Sequence, residues 1–493
     1  MSQIRYGTLL SYGGLGINIL IGLLYTPWMI HSIGRENFGL YTLAISIISL
    51  FVFDFGLSSA VSRFLSKYLA EGNQQKANNC LGLVARLYLA LDVVLLLIFV
   101  GVYFFIPDIY AKLTVEEIEK FKIIYVIAST FSVISFPFIP CNGILISNEK
   151  FIQLKLCDLA HKLIIVAAMS VSLLLGYGLY ALVAVNALAG ISTILLKLWC
   201  IKKYTRTRPN FNYKSTQERR EIFLFSGWIS LAAISQRMIF NIAPTILGMM
   251  SGSSSIAILG VAITVEGYVY TFANALNGMF LPRVSTILAS DNGNLLPLMI
   301  KIGRIQIFII GLIVLGFIGL GQQFVYLWVG SEFANTYWCA ILLILPSFLH
   351  LPQEIAATGI VAANKVKQQA WIYMCMGILN IMLAFPLAAQ WGELGVAFSI
   401  CIAYFVRTIG MNVLYVKELD IDIKLFFQQT FFKIVPVLIV MAIPVFWVYN
   451  QFDAPGWIGF IIKGILFVLI YALTFWFFIF DREEKKLFRT LLP

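Results

Sequence analysis

The sequence predicts an all-α, polytopic membrane protein, and three observations support this fold class. Hydrophobic residues make up 60% of the 493 residues, whereas charged residues make up only 12%. Apolar segments such as 81–106 and 457–480 exceed the ~20 residues that an α-helix needs to cross a bilayer. Short polar breaks separate these segments, and Lys and Arg fall almost entirely on alternate breaks. We therefore predict about fourteen transmembrane helices.

Hydropathy places the ends of these helices to within about two to four residues. Helices 1–6 form a predicted N-terminal lobe within residues 1–200, and helices 7–12 form a C-terminal lobe within residues 222–415. The basic segment 201–221 is the predicted cytoplasmic linker, and residues 416–493 contain helices 13 and 14 and a cytoplasmic tail. In chain order, the predicted helices are 8–31, 38–62, 81–106, 121–147, 157–176, 179–199, 222–250, 256–282, 303–322, 338–362, 371–390, 394–415, 431–450 and 457–480.

The positions of the basic residues orient the predicted helices. With the N-terminus in the cytoplasm, 24 of the 35 Lys and Arg residues fall on inner breaks and 4 on outer breaks. Basic residues accumulate on the cytoplasmic side of membrane proteins, so both termini are predicted to be cytoplasmic. The net charge of +11 mostly reflects this topology, and no basic module remains that would bind nucleic acid.

An internal repeat predicts two lobes of the same orientation. Shifting the chain by 216 residues aligns Gly143 with Gly359 and Asn148 with Asn364 without a gap, and a glycine turn at Gly176 matches one at Gly392. Each copy contains six predicted helices, and an even number gives the copies parallel orientations. Helices 13 and 14 follow the repeat.

The short external breaks favour a carrier over an enzyme. The longest breaks, 107–120 and 323–337, are about fifteen residues each, too short for a catalytic domain, and contain no metal-ligand cluster. The first apolar stretch lacks a small-residue cleavage pattern and is predicted to be a helix, not a signal peptide. The seven cysteines form no C-x-x-C pair, so neither disulfides nor a structural metal is expected.

The N-terminal region carries a recognisable pattern. The run GRENFGLY contains Gly39, the run DFGL contains Asp54 and Gly56, and Arg63 and the run AEGN at 70–73 follow. This pattern resembles the polysaccharide transporters of the multidrug/oligosaccharidyl-lipid/polysaccharide exporter superfamily, which are O-antigen, capsule and exopolysaccharide flippases. For Asp54, helix packing with a bend at Gly56 is weighed equally with a transport role.

The resemblance implies a V-shaped, two-lobed carrier in the bacterial inner membrane. It would move undecaprenyl-pyrophosphate-linked oligosaccharides from the cytoplasmic to the outer leaflet by alternating access. The resemblance also implies that the carrier acts together with a glycan polymerase and a chain-length regulator.

Arg237 is the leading candidate for substrate binding. It lies at the middle of the predicted helix 222–250, and Ser226, Ser230 and Asn241 share its face. An Arg beside a water-filled space can bind pyrophosphate bidentately, so Arg237 and Asn241 are predicted to contact the substrate. The alternative is an ion pair between Arg237 and a carboxylate that locks two helices together.

Two more arginines and one asparagine are also candidate substrate ligands. Arg86 lies towards the cytoplasmic end of helix 3, where it either meets a phosphate or extends to the membrane surface. Arg407 lies just past the middle of helix 12, where it either pairs with Glu354 or lines the second lobe. Asn277 shares a face of helix 8 with Glu266.

Four titratable residues are candidates for ion coupling. Glu266 lies near the middle of helix 8, where it either titrates or pairs with Arg237, and Asp92 is central in helix 3. His350 and Glu354 lie one turn apart beside two prolines of helix 10, so they form a gate or proton site, or the prolines simply kink the helix. The coupling ion is H⁺ or Na⁺, and no other cofactor is expected.

The charges inside the predicted membrane region favour an anionic substrate. Three deep arginines oppose four carboxylates, so the interior is mixed and not strongly anionic, whereas a transporter of drug cations would have a larger excess of carboxylates with an aromatic cage. The predicted function is therefore the flipping of a lipid-linked oligosaccharide. The alternatives are a multidrug cation antiporter that uses H⁺ or Na⁺ and, less favoured, a membrane glycan polymerase or ligase.

Overall fold

The computed structural model describes residues 2–51, 57–277, 281–288, 293–363, 365–451, 454–482 and 484–485. Within these ranges the chain forms α-helices with short connections and no β-strand. In a bilayer, a helix satisfies its backbone hydrogen bonds internally, which explains why apolar segments of this length become helices.

The helices of the described residues follow the predicted order. They are α1 (Ser2–Ile33), α2 (Arg35–Phe51), α3 (Leu57–Ala70), α4 (Gln74–Ile109), α5 (Val115–Ser135), α6 (Cys141–Ser147), α7 (Phe151–Leu174), α8 (Leu179–Tyr204), α9 (Thr216–Phe240), α10 (Ala243–Met250), α11 (Ser253–Asn277), α12 (Leu281–Leu288), α13 (Leu296–Val329), α14 (Asn335–His350), α15 (Glu354–Ala362), α16 (Val366–Leu419), α17 (Ile423–Gln429), α18 (Phe431–Gln451) and α19 (Gly456–Thr474).

Many of these helices expose apolar surface to their surroundings. Ten helical segments of the described chain are long and apolar enough to cross a membrane. In the segment Gln74–Ile109, only 17% of the most apolar window is buried inside the protein. An apolar outer surface is stable in lipid, because lipid tails are as apolar as leucine. The all-helical membrane fold class is thus confirmed, while the count of fourteen helices and the cytoplasmic termini stay predictions.

Within the described parts of the chain, three of the predicted helices are interrupted. The predicted helix 121–147 is divided by a 3₁₀ turn at Phe136–Phe138, and 222–250 is divided by a turn between α9 and α10. The predicted helix 338–362 is divided at Leu351–Gln353, where Pro352 lies, whereas Pro346 lies inside α14. Proline removes a backbone donor and clashes with the preceding turn. Prolines also lie beside the first two interruptions, but the sequence reasoning predicted a break only in the tenth helix, 338–362.

Two glycine turns have left-handed backbone conformations. The long helix α16 contains the predicted helices 371–390 and 394–415, which meet at Gly392 with φ 55° and ψ −129°. Gly176, between α7 and α8, has φ 76°. Residues other than glycine rarely adopt such φ values. The positive φ of both glycines agrees with the match of these two turns in the internal repeat.

The contacts divide the chain into two compact units. The first contains Met1–Ile19, Val261–Ile372 and Ala397–Pro493, and the second contains Leu20–Gly260 and Tyr373–Val396. In the first unit, one apolar core cluster is formed by six buried residues: Val269, Ala273, Ile310, Val314, Ile344 and Leu351. The predicted lobes at 1–200 and 222–415 are defined by the internal repeat and stay a prediction.

Candidate functional site

Arg237 lies in the last turn of α9, directly before the interruption of this helix. Its side chain is exposed, and its Nη1 donates a hydrogen bond to the backbone oxygen of Ser49 over 3.0 Å. The N–H of Asn241 donates to the Arg237 carbonyl over 3.0 Å, so Asn241 lies one helical turn beyond Arg237. A cation at a helix C-terminus is favoured by the last carbonyl groups. The interruption thus places an exposed guanidinium at the end of a half-helix.

The rest of the polar stripe predicted on this helix is only partly described. Ser230 is buried, and the side chain of Ser226 lies outside the described side chains. The side chain of Asn277, the last residue of α11, also lies outside them. The roles of Arg237, Asn241 and Asn277 in substrate binding stay predictions.

Glu266 is a buried carboxylate of α11. Its side chain accepts a hydrogen bond from Ser347 Oγ of α14 over 3.3 Å. A buried carboxylate needs hydrogen-bond donors, because its desolvation is otherwise costly. Ser347 is therefore the partner that the sequence did not identify. Pairing of Glu266 with Arg237, the second predicted role, stays a prediction.

Glu354 and Arg407 form an ion pair. Glu354 is the first residue of α15, directly after the interruption at Leu351–Gln353. Arg407 Nη2 lies 3.5 Å from Glu354 Oε1, and the side chains are 7% and 21% exposed, respectively. Of the two roles predicted for Arg407, the structure contains this ion pair. A carboxylate in the first turn of a helix is also stabilised by the helix dipole.

His350 packs beside this ion pair. Its ring lies 5.3 Å from the ring of Tyr404, and the guanidinium of Arg407 lies 5.7 Å from the same ring. His350 Nδ1 lies 3.0 Å from the backbone oxygen of Pro346, so Nδ1 is the protonated nitrogen. An acid, a base and a cation thus lie near one another at an interrupted helix, and the role of His350 and Glu354 in ion coupling stays a prediction.

Asp92 lies on α4 and is partly buried. Among the described residues, its Oδ1 is buried without a hydrogen-bond partner. An unsatisfied carboxylate oxygen in an apolar region is unfavourable unless a proton or cation binds it. Asp92 therefore stays a candidate for ion coupling.

Arg86 lines a cavity of about 420 Å³ between α4 and the start of α9. Its Nε donates to the Gly82 oxygen over 3.4 Å, and its Nη2 donates to the Tyr213 oxygen. The cavity is lined by Leu83, Arg86, Leu87, Ala90, Lys214, Ser215 and Thr216. The sequence identified Arg86 but missed Lys214, because the segment 201–221 was predicted only as a linker.

Arg304 is a second residue whose surroundings the sequence did not reveal. It is one of the 24 basic residues that the sequence places on predicted inner breaks, but its side chain is only 7% exposed. Its Nε and Nη2 donate to Glu484 over 2.6 and 2.9 Å. The guanidinium also donates to the oxygens of Ile479 and Gln429 over 2.7 and 3.2 Å, and it lies 3.4 Å from Asp481. Arg304 thus holds the segment after α19 against α13.

The motif residues have different surroundings. A Cβ at Gly39 would overlap the backbone of Ser253, so this glycine allows a close approach of α2 and α11. Arg63 is exposed on α3, whereas Asp54 and Gly56 lie outside the described residues. The described part of the chain contains no group of three or more His, Cys, Asp or Glu that could hold a metal ion.

Comparisons with known proteins agree with the predicted resemblance. The family described as "Polysaccharide biosynthesis protein" matches residues 5–288, which is more than half of the 493 residues. The "Uncharacterized membrane protein EpsK" of Bacillus subtilis (strain 168) is 22% identical over 426 residues, which cover 82% of this chain and 81% of the relative. A Shigella flexneri protein named as a candidate O-antigen transporter is 22% identical over 416 residues, which cover 82% of this chain and 96% of the relative.

A solved structure supports the same fold. The lipid II flippase MurJ in an inward closed conformation has a TM-score of 0.71 at 16% identity, covering 98% of this chain and 100% of that one. Together these findings confirm the predicted family resemblance, the fold class and the multi-pass location in the bacterial inner membrane. The Shigella relative and MurJ are named as a transporter and a flippase, which agrees with the prediction of a carrier over an enzyme.

Proposed function

Because the chain belongs to the family of polysaccharide biosynthesis proteins, we propose that it flips oligosaccharide repeat units linked to undecaprenyl pyrophosphate. The repeat units would move from the cytoplasmic to the outer leaflet of the inner membrane, for O-antigen, capsule or exopolysaccharide assembly. The family match over residues 5–288 is the observation that carries this proposal. The names of the Shigella relative and of MurJ, which refer to O-antigen transport and to lipid II flipping, support it.

Arg237 is the proposed ligand of the pyrophosphate. Its guanidinium is exposed at the end of a half-helix, and Asn241 lies one turn beyond it. A planar guanidinium with several donors matches the oxygens of a pyrophosphate better than an ammonium group does.

The pair of Glu354 and Arg407 is the proposed switch for ion coupling. Binding of H⁺ or Na⁺ to Glu354 would compete with the ion pair across 3.5 Å and release Arg407. His350 packs on the ring of Tyr404, and this ring, 5.7 Å from the guanidinium, would hold the released Arg407 near the interrupted helix. Glu266 and Asp92 are further proposed sites for the coupling ion. Each would bind the ion in one conformation of the carrier and release it in the other.

A cellular experiment tests the transported substrate and its direction. The gene is deleted, and the lipid-linked repeat unit is located with a membrane-impermeant glycan probe on right-side-out and inside-out vesicles. We expect the repeat unit to accumulate in the cytoplasmic leaflet and surface glycan to be lost. Wild type should restore both, and Arg237→Ala should not, whereas the control Arg206→Ala, at an exposed arginine, should restore them fully.

Two results would overturn the proposal. Normal surface glycan with increased sensitivity to cationic dyes would identify a multidrug antiporter. Accumulation of the repeat unit in the outer leaflet would identify a glycan polymerase or ligase. A glycan polymerase and a chain-length regulator are the proposed partners downstream of the flipping step.

A further inference from the structure

The basic segment between α8 and α9 is hydrogen-bonded to the N-terminal end of α4. The N–H of Asn210 donates to the Asn78 backbone oxygen over 3.0 Å, and its side chain donates to Asn79 Oδ1 over 2.7 Å. The N–H of Arg208 donates to Asn78 Oδ1 over 2.9 Å. A Cβ at Gly82 would overlap the backbone of Asn210. This segment is therefore part of the folded structure and can form one wall of a site.

The docked segment brings two cations and a helix start to one cavity. Arg86 of α4 lines the cavity of about 420 Å³ from one side, and Lys214, Ser215 and Thr216 line it from the other. Thr216 is the first residue of α9, a helix of 25 residues whose N-terminal N–H groups favour an anion. Among the described residues, the hydrogen bonds of Arg86 use only Nε and Nη2. The donors of Nη1 are therefore left for a ligand.

An exposed apolar stripe continues from this cavity along α4. Ala90 lines the cavity one turn after Arg86, and Val93 and Leu97 follow on the same face at helical spacing. Val93 is 59% exposed and Leu97 is 66% exposed. Asp92 points about 120° away from Arg86 on this helix, at 100° per residue. The surface thus combines a cationic pocket with an adjoining apolar track, which is the shape of a site for an amphiphile.

We propose that this cavity binds the phosphate group of a lipid in the cytoplasmic leaflet, with the lipid chain lying along Val93 and Leu97. Arg86 would bind phosphate oxygens through Nη1, Lys214 would supply a second charge, and the first N–H groups of α9 would complete the site. Basic residues directly beside a membrane helix typically attract anionic lipid headgroups. The phosphate can belong to a resident phospholipid or to a polyprenyl pyrophosphate. The proposal holds whichever cargo the protein transports.

Lipid binding to the purified full-length protein tests this site. Saturable binding is measured by native mass spectrometry with dioleoyl phosphatidylglycerol, undecaprenyl pyrophosphate or inorganic pyrophosphate as the probe. The test variant is Arg86→Gln with Lys214→Gln. The control is Lys203→Gln with Arg206→Gln, which removes the same charge from two exposed positions at the end of α8 and just after it. We expect the test variant to lose about tenfold or more in lipid affinity and the control to lose less than about twofold.

The probes also identify the source of the phosphate. Tighter binding of phosphatidylglycerol would assign the site to a resident phospholipid, and tighter binding of undecaprenyl pyrophosphate would assign it to the lipid carrier. Because Arg86 also bonds to Tyr213, Lys214→Gln alone and a thermal unfolding midpoint separate lost binding from lost folding. Equal losses in test and control variants, or equal affinity for inorganic pyrophosphate and both lipids, would overturn the proposal.

Discussion

Replacing Arg304 by methionine is expected to destabilise the protein strongly. The change removes the guanidinium that donates to Glu484 over 2.6 and 2.9 Å and leaves a carboxylate whose side chain is only 7% exposed. Removing one partner of a buried ion pair costs about 3–5 kcal/mol, because the remaining charge stays desolvated. Two backbone oxygens, those of Ile479 and Gln429, also lose their donor. We therefore expect a loss of about 4 kcal/mol or more.

The second single variant and the double variant complete a thermodynamic cycle. Glu484→Leu leaves the Arg304 guanidinium buried, but the two backbone oxygens and Asp481 at 3.4 Å still contact it. This substitution should therefore lower the free energy of unfolding by about 3 kcal/mol. The double variant Arg304→Met with Glu484→Leu removes both charges and should cost only about 0–2 kcal/mol, because two apolar side chains can pack in their place.

The assay is the free energy of unfolding in mixed micelles, titrated with a denaturing detergent. A coupling of about 3 kcal/mol or more between the two sites is expected. If the double variant loses as much stability as the two single variants added together, the two residues do not interact, and the explanation is refuted.

Three further predictions use the same stability measurement or a transport assay. Gly82→Ala should lower the free energy of unfolding by about 1–3 kcal/mol, because its Cβ would overlap the docked linker. The control Gly101→Ala on the same helix has open space and should not reduce stability, and equal effects of the two substitutions would contradict this explanation. Gly392→Ala should cost about 1–3 kcal/mol, because φ is 55° and ψ is −129°, and an unchanged unfolding midpoint would argue against this strain. Glu354→Gln should lower lipid-linked oligosaccharide flipping in vesicles by about tenfold, because it removes the charge that the coupling ion would bind. Its amide oxygen can still accept a hydrogen bond from Arg407, which should limit the loss of stability, and wild-type flipping would exclude Glu354 from coupling.

The sequence predicted the elements of the fold well, because membrane insertion depends on local composition. Apolar length alone identified the long helices, and the sequence also indicated the break at Pro352. The interruption beside Pro244 was missed, because a proline inside a membrane helix is also compatible with a continuous helix that kinks. The same reasoning placed Arg237 at the middle of a helix, whereas it lies at the end of a half-helix.

The partners of the charged residues were harder to predict. The sequence identified Glu354 and Arg407 as deep charges and left their pairing open, because the two residues are distant in sequence and only folding brings them within 3.5 Å. Lys214 was interpreted as part of a linker, and only its position opposite Arg86 makes it a candidate ligand. The number of charged residues shows that ionised side chains are present, but it does not show which of them contact one another.

The sequence by itself determined that this is an all-helical membrane protein and where its long apolar segments lie along the chain. These properties follow from hydropathy and the cost of burying backbone groups in lipid, and both act locally along the chain. Only the tertiary structure decided that Arg304 binds the segment after α19, that Ser347 binds Glu266 and that the linker closes a cavity over Arg86. These contacts join residues far apart in the chain, so their geometry depends on how the helices pack.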